Sequence, residues 1–292
     1  MELKIVSRVA SDFEGYDYLI QIYQTASASK ERTITLIFEG TFWFEANLAA
    51  VLGAIVELLE AKGKVVKIVG VKASVALVLR KNGFLCDYGY DPAIDHYGTI
   101  LTYQQFSPQD DDAFMNYIKS ELLTKPEFPK HTPALGKKIS ESIFELYENA
   151  RTHGRCKQIH TCGQYYPQKL PPRLDITIVD MGTSIKKNVN EYLKKDLQGA
   201  DAIEWALQYG NTTKTGTISG GLGLDIMFQF IKLNKGKVQI ISSDGYWEFR
   251  KGETLKTNFS NSFPGTIVNI EFNLNDSTSY YLREEIPDDI NF

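Results

Sequence analysis

Residues 137 to 154, KKISESIFELYENARTHG, constrain the fold more than any other stretch, because they predict one amphipathic helix whose two faces need different partners. Thr132-Pro133 supplies the start: a hydroxyl to cap free amides, and a proline suited to the first helical position. Ile139, Ile143, Leu146 and Ala150 recur at i, i+4, i+7 and i+11, an apolar stripe that must pack, and Gly154 is a plausible stop. Glu145 and Asn149 stand four apart and share another face. A carboxylate beside a carboxamide has the chemistry to activate a water and to hold a hard cation. Taken alone, the same pair also fits a solvated helix face.

Three later stretches, in order, add to this helix. The β-like run Leu174 to Val179 leads into Asp180-Met181-Gly182-Thr183-Ser184-Ile185. Gly220-Gly221-Leu222-Gly223-Leu224 opens an apolar helix reaching about Leu233, and Pro264-Gly265-Thr266 begins a closing strand, TIVNIEFNL. Together these resemble the GHKL, or Bergerat-fold, ATPases, which include gyrase B subunits, MutL, heat-shock chaperone ATPases, sensor histidine kinases and anti-sigma-factor kinases. Glu145-x3-Asn149-Ala150 matches the N box, Asp180-x-Gly182 the G1 box, Gly221 to Leu224 the G2 box and Gly265-Thr266 the terminal Gly-Thr. The resemblance covers roughly residues 110–275.

At 292 residues and about 150 per domain, the chain has room for two domains. Net charge is −4 and there is no long Lys/Arg block, which argues against nucleic acid as a partner. MELKIVSRVASDFEG carries no apolar signal segment, and no run approaches the ~18 apolar residues of a membrane span, so a soluble, cytoplasmic protein with no membrane partner is expected. Cys86, Cys156 and Cys162 make no disulfide framework.

Residues 1–105 form a first α/β unit. Thr33 to Phe38 is a strand, Asn47 to Ala61 a strongly apolar helix, Val65 to Val71 a second strand and Ala73 to Lys81 a second helix. That alternation implies a small α/β sandwich with some parallel pairing. The segment TFWFEANLAAVLGAIVELLEAKGKVV is similar to the STAS domains of anti-sigma-factor antagonists. Those carry a phosphorylatable Ser at the start of this helix, where this chain has Phe44-Glu45-Ala46-Asn47. The resemblance thus implies a docking scaffold rather than a phospho-switch.

Tyr103 to Pro129 is a polar connection containing one helix candidate, Ala113 to Leu123. Residues 106–292 then form the Bergerat-like α/β sandwich. His160 to Tyr166 predicts a strand. His153, Cys156, His160 and Cys162 invite a zinc reading, but their spacing is irregular and strand alternation points two of them away. Short helices are expected near Asn188–Lys195 and Ala200–Tyr209, followed by Gly210 to Gly216, the ATP lid of the resembled family. Its hydroxyls and Lys214 suit polyphosphate, and by residue chemistry alone a plain surface loop fits as well.

The resemblance implies ATP and Mg²⁺ as cofactors. Asp180 would accept from the adenine amino group, Gly182 would admit the base, and Thr266 would complete the polar contacts. Gly220, Gly221, Leu222, Gly223 and Leu224 would offer amides to the phosphates at a helix N-terminus, with Lys214 alongside. Asn149 would hold Mg²⁺ through its amide oxygen and Glu145 would deprotonate the attacking water. Ser184 replaces the second Gly of the usual G1 pattern, which suggests slow turnover. His96, His131, His153 and His160 sit on no phosphoacceptor hairpin, against histidine-kinase chemistry. The expectation is a slow Mg²⁺-dependent ATPase whose lid closure regulates a protein partner, docked through the STAS-like unit or the lid. The alternatives are an anti-sigma-type serine/threonine kinase and a non-hydrolysing nucleotide-gated module. Self-association into a homo-oligomer stays open.

Overall fold

The computed structural model describes residues 1–208, 211 and 225–285. Among them the chain is mixed α/β, with eight α-helices and ten strands in three sheets. The first unit comprises β1 (Glu2–Lys4), β2 (Arg8–Val9), α1 (Phe13–Ala28), β3 (Thr33–Ile37), β4 (Trp43–Phe44), α2 (Ala49–Glu60), β5 (Val65–Val69) and α3 (Ala73–Lys81). β1, β3 and β5 pair in parallel in that order, with α1 and α2 as crossovers, and β2 pairs with β4. The elements expected from Thr33 to Lys81 are present with ends within two residues of the expected ones. Helix α1 went unforeseen. Its buried stripe includes Tyr16, Leu19, Tyr23 and Ala26, and tyrosine hydroxyls disguise an apolar face. Asp12 caps it, accepting from the Gly15 amide at 2.9 Å.

The second unit comprises β6 (Ile100–Phe106), α4 (Asp111–Tyr117), α5 (Pro133–Asn149), β7 (Ile159–Tyr166), β8 (Arg173–Asp180), α6 (Ile185–Leu193), α7 (Gly199–Leu207), α8 (Asp225–Asn234), β9 (Lys237–Arg250) and β10 (Glu253–Asn273). Its five strands are all antiparallel, in the order β6-β7-β8-β10-β9. Residue 105 lies inside β6, so a sheet strand rather than a linker joins the two units. Thr132 caps α5 by accepting from the Leu135 amide at 3.2 Å, and Pro133 is its first residue. The helix leaves through a wide π-type turn, Ala150–Gly154, and the chain reverses at Arg155 with φ 53 and ψ 36.

Side-chain alternation buries both faces of the five-stranded sheet. Leu174, Ile176 and Ile178 of β8 pack with the α5 stripe Ile139, Ile143 and Leu146 and with Phe230 and Ile231 of α8. Val179, Ile241 and Ile267 point the other way, into a core shared with Leu19, Leu52 and Ile55 of the first unit. Antiparallel sheets commonly leave one face to water. Here α1 and α2 cover it.

That covered face is not uniformly apolar. Asn47 Nδ2 donates to Ser11 Oγ, Thr177 Oγ1 and Asn269 Oδ1 at 2.8–3.1 Å. Glu45, 1% exposed, accepts from the Ser11 amide at 2.7 Å and from Arg173 Nη2 at 2.7 Å. The stretch that lacks a phosphorylatable Ser is thus spent on a seam between the units. Arg173 also reaches Asp175 (3.0 Å) and Glu271 (3.4 Å), and Lys237 reaches Glu271 (3.3 Å). Asp175 and Arg173 Nε make an ion pair outside hydrogen-bond geometry: neither Asp175 oxygen has a hydrogen-bond partner among the described residues. Burial, then the neighbouring Glu271, pushes the Asp175 carboxyl well up.

Candidate functional site

At the end of β8, opposite Thr266 on β10, Asp180 turns into a pocket between the sheet and α5, α6 and α7. The pocket measures about 820 Å³ with its mouth, and Ile178, Ile240 and Val268 give it an apolar sheet floor. Asp180 Oδ1 accepts from the Gly182 amide at 2.9 Å, and the Thr266 side chain lies beside its carboxylate. Burial pushes this carboxyl from 3.8 up to about 7, partly offset by the Gly182 amide and the neighbouring Thr266. A buried acid with so few partners is costly, which is the signature of a site awaiting a polar ligand.

Two glycines close the backbone around it. A Cβ on Gly182 would stand 2.0 Å from the Gly154 carbonyl oxygen, and the Thr183 amide donates to that same oxygen at 2.6 Å. Gly182 is therefore required first by contact with the end of the α5 turn. Gly265, at φ 145, passes so near that a Cβ would lie 2.0 Å from the Asp180 carbonyl oxygen. Ser184 departs from the resembled pattern without strain. Its φ of −66 and ψ of 155 suit any residue, and its hydroxyl caps α6 by accepting from the Lys187 amide at 3.3 Å.

The structure brings Asn149, Asp180 and Thr266 to one pocket. The Asn149 carboxamide, half-buried, makes no side-chain hydrogen bond among the described residues. Glu145 lies one turn earlier, is exposed, and does not line the pocket. Lys214 and the run Gly220, Gly221, Leu222, Gly223 and Leu224 lie outside the described residues. The helix expected to follow them is present as α8, ending at Asn234.

Three further residues shape the pocket and escaped sequence reasoning. Ser242 Oγ accepts from the Ile185 amide at 2.9 Å and contacts the Gly265 carbonyl and Thr266 Oγ1 at 3.0 Å each, which fixes the Thr266 hydroxyl. Only the pairing Thr266↔Ser242 reveals it. Trp205 and Asn188 line the wall from α7 and α6 with no spacing signal. The four residues with a zinc-like composition separate: His160 bonds Tyr103 and Glu57, Cys162 Sγ contacts the Ala46 carbonyl, Cys156 packs in the opposite core, and His153 lines the Asp180 pocket.

An apolar slot with a carboxyl at its base, one hydroxyl beside it and a carboxamide across it suits a flat heterocycle bearing an amino donor. Compared with known proteins, the chain matches no family model, and no curated protein matches it significantly.

Proposed function

We propose that the protein binds ATP in this pocket and acts as a slow Mg²⁺-dependent ATPase of the GHKL type, its lid movement regulating a protein partner. The observation that carries this is Asp180: a buried carboxyl at the base of an apolar slot, with its pKa raised to about 7 and Thr266 beside it. The base would stack between Val268 and Ile178 on the floor and the α5 side, and its amino group would donate to Asp180. Asn149, whose carboxamide makes no hydrogen bond among the described residues, would hold Mg²⁺. Bound Mg²⁺ would neutralise phosphate charge and favour attack at the terminal phosphorus. Glu145, one turn away on the same helix face, would take the proton of the attacking water once the lid draws solvent out of the mouth. A non-hydrolysing, nucleotide-gated binding module is the second reading, favoured by the exposure of Glu145 outside the pocket.

Phosphate release from Mg-ATP by wild type and Glu145→Ala tests this. The ATPase reading expects slow release that the variant loses by about a hundredfold or more, the usual scale for a general base. Release unchanged in Glu145→Ala would remove the hydrolytic role, and nucleotide binding without release would establish the gated module. Label transferred to a partner hydroxyl would make the protein a kinase.

A further inference from the structure

A second cleft, of about 1100 Å³ and open to solvent, lies on the other side of the Gly154–Thr183 wall. Both units build it. Tyr23 and Gln24 of α1 and Lys62 after α2 form one bank, and the Gly182–Ser184 and Ser262–Gly265 segments form the other. Gln24 Nε2 donates to the Ser262 carbonyl at 2.6 Å across its edge.

Its charge is one-sided. Lys62, Arg155 and Lys187 line it, and no Asp or Glu does among the described residues, although the whole chain carries −4. None of the three cations is tied into a strong ion pair. Arg155 has no hydrogen-bond or ion-pair partner among the described residues. Lys187 meets Glu191 only at 3.9 Å with both side chains about two-thirds exposed, and Lys62 bonds the Ser27 hydroxyl and covers the Tyr23 ring. Thr183, Ser184 and Ser243 add hydroxyls. Arg155 and Ser243 both hold left-handed backbone, φ 53 and φ 57, a conformation that costs a non-glycine residue and recurs at ligand sites.

The geometry points to a binding site for a phosphate monoester in this cleft. A carboxylate offers two oxygens and one charge. A phosphate monoester offers three oxygens and nearly two charges, and it makes fuller use of three cations and several hydroxyl donors. Because Lys62 belongs to the first unit and Arg155 and Lys187 to the second, the bound phosphate would clip the two together. The site does not depend on the nucleotide reading, since a backbone wall separates it from Asp180.

Isothermal titration at pH 8 with O-phosphoserine, with a phosphoserine peptide and with the unphosphorylated peptide tests the assignment. Wild type should bind both phosphorylated probes and not the third. Comparable affinities would identify a free phosphate ester as the source, and a much tighter peptide would identify a phosphorylated protein segment. Arg155→Gly with Lys62→Gln and Lys187→Gln should weaken binding about tenfold or more. Glycine suits φ 53, so that variant keeps the fold, and an unchanged thermal midpoint would confirm it. Wild type should bind O-phosphoserine equally well with and without excess adenosine, which keeps this outcome apart from that of the nucleotide pocket. Absence of phosphate-dependent binding in wild type, or full affinity in the triple variant, overturns the assignment.

Discussion

Asp175 and Asp180 are buried five residues apart on one strand, face opposite sides of the sheet, and are both pushed up by burial, yet their surroundings differ. Asp175 is packed among three other charged side chains within the seam, Arg173, Glu271 and Lys237, with Glu45 beyond the guanidinium. Asp180 has one amide donor, Thr266 beside it, and a pocket in front of it among the described residues. The first carboxyl is met by an ion pair and enclosed by protein, without a hydrogen bond among the described residues. The second leaves a polar atom facing a cavity, and only that arrangement has something to offer a ligand.

The comparison breaks most forcefully at Arg173. Arg173→Ala leaves Glu45, Asp175 and Glu271 with only Lys237 to oppose them, and urea unfolding should show a loss of about 3–5 kcal/mol. A loss under about 1 kcal/mol would mean that water already relaxes the seam. The next contrast sets the two acids against each other. Mg-ATP at 100 times its dissociation constant should stabilise wild type by about 2.7 kcal/mol in thermal unfolding. Asp180→Asn should abolish that gain and Asp175→Asn should keep it. Equal effects would erase the distinction between the sites. The mildest test is pH. Asp180 titrates at about 7 when folded and near its ordinary 3.8 when unfolded, so between those values the folded chain holds the extra proton. The stability it contributes is therefore full in acid and lost as pH rises towards 7, at no more than about 1.4 kcal/mol per pH unit for each such carboxyl. Asp175, shifted the same way, adds to the slope. Each Asn variant should flatten the profile by its own share.

Much of the frame was legible because it rests on local rules. The Thr132-Pro133 start, the α5 stripe and the strand of alternating Leu174, Ile176 and Ile178 follow from caps and periodicity, and each is present. The seam was not legible. Ser11, Asn47, Thr177 and Asn269 are ordinary polar residues far apart in sequence, and only tertiary contact makes them a network. In the pocket, Asn149 was marked by its helix face and Asp180 by its strand end, whereas Thr266 was singled out only by the resemblance. Ser242 and Trp205 could not be singled out, since their roles come from strand register and helix docking. Ser184, where the resembled pattern has glycine, stands in backbone that any residue can adopt.

The covering of the sheet by α1 and α2 bears on how this chain can be divided. A fragment starting at residue 106 would begin at the last residue of β6, strip β7 of its edge neighbour, and hand Val179, Ile241, Phe263 and Ile267 to water along with the charges of Arg173 and Asp175. A fragment ending there would lose the surface that Leu19, Leu52 and Ile55 pack against. Each half serves as the other's solvent shield, so the two would have to be made, folded and inherited as one piece.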